Sequence, residues 1–329
     1  MFEETKGRMG GLAGMSLTAE AGPLAPDLLM SRIWGNATTI LPWVGHCATK
    51  GTSMTDGLIN SLDDLGEPPA FDTGTAHIAR VYDYWLGGKD NFAADREAGD
   101  EAYVAYPDMP SSVRANRAFL RRAVRCMAES GIRQFLDVGT GLPSANNTHE
   151  VAQSVSSDCR VLYVDNDPMV LAHAHALLVD GQESRTAYLD ADARDPEKIL
   201  RGAERMLDLS QPVGVMLIAI LHLVNEEDNP QQIVDRLMEA VTPGSYLAIT
   251  HVPSDMQASM GVVAAAERVN RLMAQRINPR SRADVTQFFD GLELLPPGVV
   301  PIQEWRPDTA EEGAARAAMW GGVARKNAQ

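Results

Sequence analysis

Residues Gln134–Asp167 read Q-F-L-D-V-G-T-G-L-P-S-A-N-N-T-H-E-V-A-Q-S-V-S-S-D-C-R-V-L-Y-V-D-N-D, the pattern of strand, glycine turn, helix, strand. Phe135, Leu136 and Val138 form the short apolar run of a strand buried on both faces. Gly139-Thr140-Gly141 breaks it, and glycine there lets the chain turn sharply and lets a ligand lie against bare backbone. Asn147 and Glu150 flank Thr148 as a capping box, so a helix is expected to start there. Val161-Leu162-Tyr163-Val164 is a second strand ending on Asp165, where a carboxylate can accept hydrogen bonds from two ribose hydroxyls. A glycine turn with a ribose acceptor points to a nucleoside-containing cofactor.

The turn discriminates between cofactors. A dinucleotide site uses G-x-G-x-x-G with a pyrophosphate at the helix N-terminus. Here the turn is Gly139-Thr140-Gly141-Leu142-Pro143-Ser144, with no third glycine, no Lys or Arg, and a proline that lengthens the loop. Asp137, two residues before the first glycine, would repel pyrophosphate and welcome an amino group. This disfavours an NAD-dependent dehydrogenase. The D-x-G-x-G order with a downstream acid resembles the glycine loop of class I S-adenosylmethionine-dependent methyltransferases. The competing reading is a plain turn between two buried strands.

Further stretches carry a closer resemblance. R-V-Y-D-Y-W-L-G-G-K-D-N-F-A-A-D-R (Arg80 to Arg96), A-N-R-A-F-L-R-R (Ala115 to Arg122), Q-F-L-D-V-G-T-G-L-P and Y-V-D-N-D-P together resemble the actinomycete-rich S-adenosyl methyltransferase family, first catalogued as a domain of unknown function. The match runs from about Phe71 to the C-terminus. It implies a Rossmann-like α/β class I fold, with a seven-stranded, mostly parallel sheet in the order 3-2-1-4-5-7-6 and the last strand antiparallel. It also implies S-adenosyl-L-methionine as cofactor, with Asp192 and the backbone of Ala193 taking the adenine; Asp190 competes, offset by two residues. It names no substrate.

Composition narrows the remaining classes. A formal net charge of −15 argues against a general nucleic-acid binder or an anionic-membrane binder. Cys47, Cys126 and Cys159 are widely spaced without a C-x-x-C pattern, so neither a disulfide framework nor a metal site is expected, and a reducing cytoplasm fits. Residues 1–70 lack a persistent apolar period and are read as a poorly ordered extension, with a regulatory or docking tail as the alternative. They show neither a membrane span nor a signal peptide. Met54-Thr55-Asp56 is a second plausible start beside Met1.

Residues 71–130 read as a helical cap and 131–329 as the cofactor-binding core. Ile78, Val81, Tyr82, Trp85 and Leu86 make one apolar helix face, closed by Gly87-Gly88. Lys89, Asp90 and Asn91 then cluster as a polar loop that suits a lid near cofactor and substrate, with Tyr82 beside it. Core packing is the competing reading of Tyr82 and Trp85. A second helix spans Ala93 to Tyr106, and Ser111 or Ser112 is expected to cap a long helix reaching Ser130. Near its start, Arg114 or Arg117 is placed to meet the cofactor carboxylate, with Arg117 taken as the contact.

Beyond Asp165 and Asn166, a helix follows Pro168 and strands follow at Thr186–Leu189, Val213–Leu221 and Ser245–His251. His222 and His251 end the last two and are the candidate general bases, because ligands lie beyond the carboxyl ends of such strands and histidine titrates near neutrality. Structural hydrogen bonding is the alternative role for each. A-I-L-H stands where nucleobase and amide methyltransferases often carry N-P-P-Y, which points away from a nucleobase. A long helix over residues 254–277, a short one over 280–289, and strands at 292–295 and 317–324 complete the reading. The expected activity is methyl transfer from S-adenosylmethionine to a small molecule. The alternative is a non-catalytic sensor or scaffold on the same fold. Oligomeric state is left open.

Overall fold

The sheet is built from strands whose alternate residues face two different cores. The computed structural model describes residues 58–59, 72–179 and 185–328. Strands β2 (Gln134–Val138), β3 (Arg160–Asp165), β4 (Thr186–Asp190), β5 (Gly214–Ile218) and β6 (Tyr246–His251) are mutually parallel. Leu136, Val138, Leu162, Val164 and Leu189 face one core, while Phe135, Val161, Tyr163 and Tyr188 face the other. That alternation is the two-residue period of a pleated strand. Both faces must be covered, and helices cover them. α6 (Pro196–Ala203) and α7 (Pro230–Ala240) supply the first core; α3 (Met109–Glu129) and α4 (Thr148–Val155) supply the second, and α5 (Pro168–Val179) follows β3.

Two elements reverse direction. β9 (Trp320–Arg325) pairs antiparallel with β6, and β7 (Glu293–Leu294) pairs antiparallel with β9. The order β4-β3-β2-β5-β6-β9-β7 is the expected 3-2-1-4-5-7-6 when β2 is counted first and β9 seventh. Two short additions make the sheet nine-stranded. Leu58–Ile59 (β1) runs antiparallel to β4, and Val300–Pro301 (β8) pairs with β9. The remaining part of the 1–70 extension, Cys47 included, lies outside the described residues.

A third core belongs to the cap. α1 (Ile78–Leu86) and α2 (Ala93–Ala105) pack with α8 (Ser259–Val269) through Val81, Trp85, Ala98, Ala102, Val262 and Ala266. α1 ends at Gly87, whose φ of 85° is the left-handed C-terminal cap. Arg80 and Asp95 form a buried pair, Nε to Oδ2 at 3.0 Å, that fastens α1 to α2.

Four expected boundaries shift. α3 starts at Met109 with Pro110 in its first turn, and Ser112 is instead buried, with its hydroxyl 3.1 Å from Tyr106 Oη and accepting from Ala318 N at 3.0 Å. The helix expected over 254–277 is confined to α8. The side chain of Asn270 accepts from Ile277 N at 2.7 Å and donates to Ile277 O at 3.0 Å, offering the backbone a local alternative to helix. α9 (Arg282–Gln287) is shorter than expected and is capped by Ser281. β5 stops at Ile218, because Ala219 adopts a φ of 56° and its N–H turns to Thr250 Oγ1 at 2.9 Å. His222 therefore sits on a 3-10 turn, Leu221–Leu223, rather than at a strand end.

Candidate functional site

The glycine loop is held by the acid at the tip of the next strand. Gly139 N donates to Val164 O at 2.8 Å, and Gly141 N donates to Asp165 Oδ2 at 2.8 Å. Both glycines have positive φ, 75° and 67°. A Cβ on Gly139 would lie 2.5 Å from Ile220 Cδ1, whereas one on Gly141 would meet no atom within 4 Å. Gly139 is bare for packing; Gly141 is bare beside open space. Asp165 Oδ1 accepts from Asp167 N at 2.9 Å, so each carboxylate oxygen has one backbone donor and keeps lone-pair capacity. Burial pushes the Asp165 carboxyl above its ordinary range.

That loop walls a cavity of about 840 Å³, bordered also by Tyr82, Arg117, Asp137 and Asn166. Asp137 is 4% exposed, and burial raises its pKa to about 6, against the opposing hydrogen bond from Thr148 Oγ1 at 2.6 Å and the charge of Arg117. Thr148 is the first residue of α4 behind the expected Asn147–Glu150 capping box. Arg117 donates through Nη2 to Ala145 O, Asn146 O and Asn147 Oδ1, yet its buried Nε has no partner. Arg114 is exposed and does not line the cavity.

Other expected residues lie further back. Asn166 lines the cavity and donates to Asp192 Oδ2 at 3.1 Å. Asp192 and Ala193 stand behind it, outside the wall. Arg194 grips the Asp192 carboxylate through Nε at 2.9 Å and Nη2 at 2.6 Å, holding its pKa below the ordinary value. Asp190 ends β4 in register with Asp165.

The cap reaches the cavity through α1 rather than through the loop that follows it. His77, Ile78, Tyr82, Asp83 and Leu86 line it, whereas Lys89, Asp90 and Asn91 do not. The cause is Asp83, whose Oδ2 accepts from Asp90 N and from Asn91 Nδ2, each at 2.9 Å. Arg96 also donates to Asn91 Oδ1 at 3.1 Å, so Asn91 is a buried tie between helices. His77 Nδ1 lies 2.6 Å from Asp167 Oδ2, joining the cap to the loop after β3. The sequence reading did not single out His77 or Asp83; His77 is the N-cap of α1, and Asp83 lies on that largely apolar helix.

A second cavity, of about 620 Å³, adjoins the first, with Ile78, Tyr82 and Ala219 bordering both. His222 lines it and is 4% exposed. Burial and the Arg280 charge lower its pKa to about 3. His251 reaches neither cavity. Its Nδ1 lies 2.9 Å from Val252 O and its Nε2 2.9 Å from Arg280 Nη1, so both ring nitrogens are engaged, one donating and one accepting. Burial holds its pKa well below the ordinary range.

The sequence profile of the S-adenosyl methyltransferase family matches residues 65–327. The chain belongs to this family. A DUF574-family protein of Streptomyces avermitilis is 45% identical, the match covering 78% of this chain and 99% of that one with a TM-score of 0.74. A Thermobifida fusca protein provisionally named a methyltransferase is 41% identical over 80% of this chain and 99% of its own, at a TM-score of 0.73. No protein of curated function matches the chain. The chain is thus an S-adenosylmethionine-dependent methyltransferase on a Rossmann-like class I fold. The cavity's donor set fits that cofactor: two buried carboxylates, an unpartnered guanidinium N–H and a bare glycine suit a zwitterionic amino acid joined to a ribose. Among the described residues no helix is long and apolar enough to cross a membrane, and no group of His, Cys, Asp and Glu is arranged to hold a metal.

Proposed function

We propose that the enzyme methylates a small molecule that approaches from beneath the cap, while the larger cavity holds the cofactor. Asp165 takes the ribose hydroxyls, Asp137 the ammonium, Arg117 Nε the carboxylate, and Asn166 the adenine side, with Asp192 and Ala193 behind it. The observation that carries this reading is the Asp137 and Arg117 pair on one wall, an anion and an unsatisfied cation donor within each other's field. Such a pair matches the two charges of an amino-acid moiety.

The bound cofactor supplies a methyl group already activated by its sulfonium. The chain's own work is alignment and exclusion of water, and near-attack positioning can contribute on the order of 7–11 kcal/mol. Tyr82 helps hold the junction of the cavities, since its hydroxyl donates to Val113 O at 3.2 Å and accepts from Asn116 Nδ2 at 3.0 Å. His222, with a pKa near 3, is neutral at rest and is not a base poised for neutral pH. Free Cys126 and Cys159 suit a reducing compartment, and we place the enzyme in the cytoplasm.

Calorimetry tests the charge pairing. Arg117→Met is expected to weaken S-adenosylhomocysteine while leaving its decarboxylated analogue unaffected. Equal loss for both ligands would remove Arg117 from carboxylate recognition. Demethylation of S-adenosylmethionine in the presence of a cell extract separates turnover from mere binding.

A further inference from the structure

The second cavity has an unusual lining for an enzyme with a net charge of −15. Among the described residues no Asp, Glu, Lys or Arg borders it. Its walls are mostly apolar and come from the cap and from α8 and the chain after it, among them Trp85, Val113, Val262, Val269 and Ile277. A charged ligand placed there would lose its hydration with no partner to replace it.

The polar side chains in the lining are almost fully committed. Trp85 Nε1 donates to Gly99 O at 3.2 Å. Tyr106 Oη and Ser112 Oγ lie 3.1 Å apart, and Ser112 Oγ accepts from Ala318 N. Tyr82 Oη has the two partners already described. His222 differs: its Nδ1 is buried and has no hydrogen-bond partner. The ring is held firmly. Its own backbone carbonyl accepts from Asn278 N at 2.7 Å, and it meets the His251 ring edge to face at 5.5 Å. Buried polar groups are normally satisfied, so an imidazole that lines a cavity and has an unpartnered ring nitrogen marks a place for a ligand atom.

We infer that this chamber is the acceptor site and that it takes an uncharged, largely apolar small molecule carrying a single O–H or N–H donor, which hydrogen-bonds to the His222 imidazole. The inference rests on the reading that acceptor and cofactor meet across Ile78, Tyr82 and Ala219. The acceptor's O–H or N–H donates to the lone pair of the neutral imidazole; as the acceptor atom bonds the methyl carbon, the S–CH3 bond of the sulfonium breaks to leave a neutral thioether, and the acceptor's proton passes to that lone pair and from there to water. Amino acids, nucleotides and carboxylic acids would find no charged partner among the described residues of this lining.

The test uses the full chain with three probes: 2-naphthol, 2-methoxynaphthalene and 2-naphthoate. Calorimetry in the presence of S-adenosylhomocysteine is expected to show 2-naphthol binding about tenfold tighter than 2-methoxynaphthalene, the value of one hydrogen bond, and 2-naphthoate failing to bind. His222→Phe should abolish the naphthol preference. Ala265→Leu, which narrows the chamber from α8, should weaken both neutral probes and spare S-adenosylhomocysteine. Naphthoate binding as well as naphthol, no naphthol preference in the native protein, or a preference retained in His222→Phe would each overturn the inference. Should His222→Phe fail to fold, the native three-probe comparison and Ala265→Leu decide. S-adenosylhomocysteine binding with no probe bound defeats the chamber assignment alone; absence of S-adenosylhomocysteine binding defeats the cofactor reading beneath it.

Discussion

Asp137→Asn should make the free enzyme more stable and a poorer binder. Burial moves the Asp137 carboxyl from its ordinary 3.8 to about 6. The folded pKa lies above the unfolded one, so the group's favourable contribution is complete below pH 3.8 and is lost as pH rises through 6. At pH 8 the folded chain carries the whole cost of a buried carboxylate, about 3 kcal/mol at 1.36 kcal/mol per pKa unit. Asparagine removes that charge and can still accept from Thr148 Oγ1, so the local hydrogen bond survives. Urea unfolding of ligand-free protein should therefore show the variant more stable by about 1–3 kcal/mol at pH 8. The advantage should shrink steadily through pH 6 and nearly vanish at pH 4. S-adenosylhomocysteine affinity should fall about tenfold or more, because the ammonium loses a charged partner. A stability difference that ignores pH, or a variant less stable than the native protein at pH 8, would refute the burial argument.

Other perturbations probe the cavity wall and the cap. Asp165→Ala should lower S-adenosylhomocysteine affinity by about 1.5–3 kcal/mol, the worth of hydrogen bonds to a charged group; unchanged binding with an intact fold would exclude Asp165 from the site. Gly139→Ala should destabilise the fold by more than about 2 kcal/mol through left-handed strain plus collision with Ile220, whereas Gly141→Ala should cost about 1–2 kcal/mol and mainly impair cofactor binding. Equal melting temperatures for the two would contradict that split. Asn91→Ala should cost about 1–3 kcal/mol by leaving Asp83 and Arg96 short of partners. It should also speed hydrogen exchange in residues 87–92, and exchange as slow as in the native chain would show that the tie is not structural.

The parts of the fold that were readable in the sequence are those fixed by local rules. β2, β3 and β5 are short, mostly apolar runs, as strands buried on both faces tend to be. The Asn147–Glu150 box and Gly87 mark helix ends by chemistry confined to a few neighbouring residues. What escaped depends on side-chain partners that no local pattern names. His251 was taken as a base because it closes a strand, but Arg280, 29 residues on, occupies its Nε2. The loop of residues 89–91 looked like a lid until Asp83 drew two of its N–H groups onto α1. The A-I-L-H stretch gave no sign that Ala219 would take positive φ and drop His222 beneath the cap. Arg194, two residues past Asp192, was a local signal left unused.

The arginines of α3 bind partners that are made much later. Arg122 donates to Ile302 O and Trp305 O, and Arg121 and Arg122 pair with Glu312, contacts spanning 180 to 191 positions. β9, the neighbour that completes β6, also comes from the last stretch of chain. At a synthesis rate of about 5–20 residues per second, roughly 10–40 seconds separate α3 from these partners on the ribosome. Through that interval the nascent chain presents an unpaired β6 edge and a helix with its guanidinium groups unmatched. Its native assembly is therefore timed by translation of the C-terminus, and any ribosome pause after β6 lengthens the period in which a chaperone, or another nascent chain, can claim that edge.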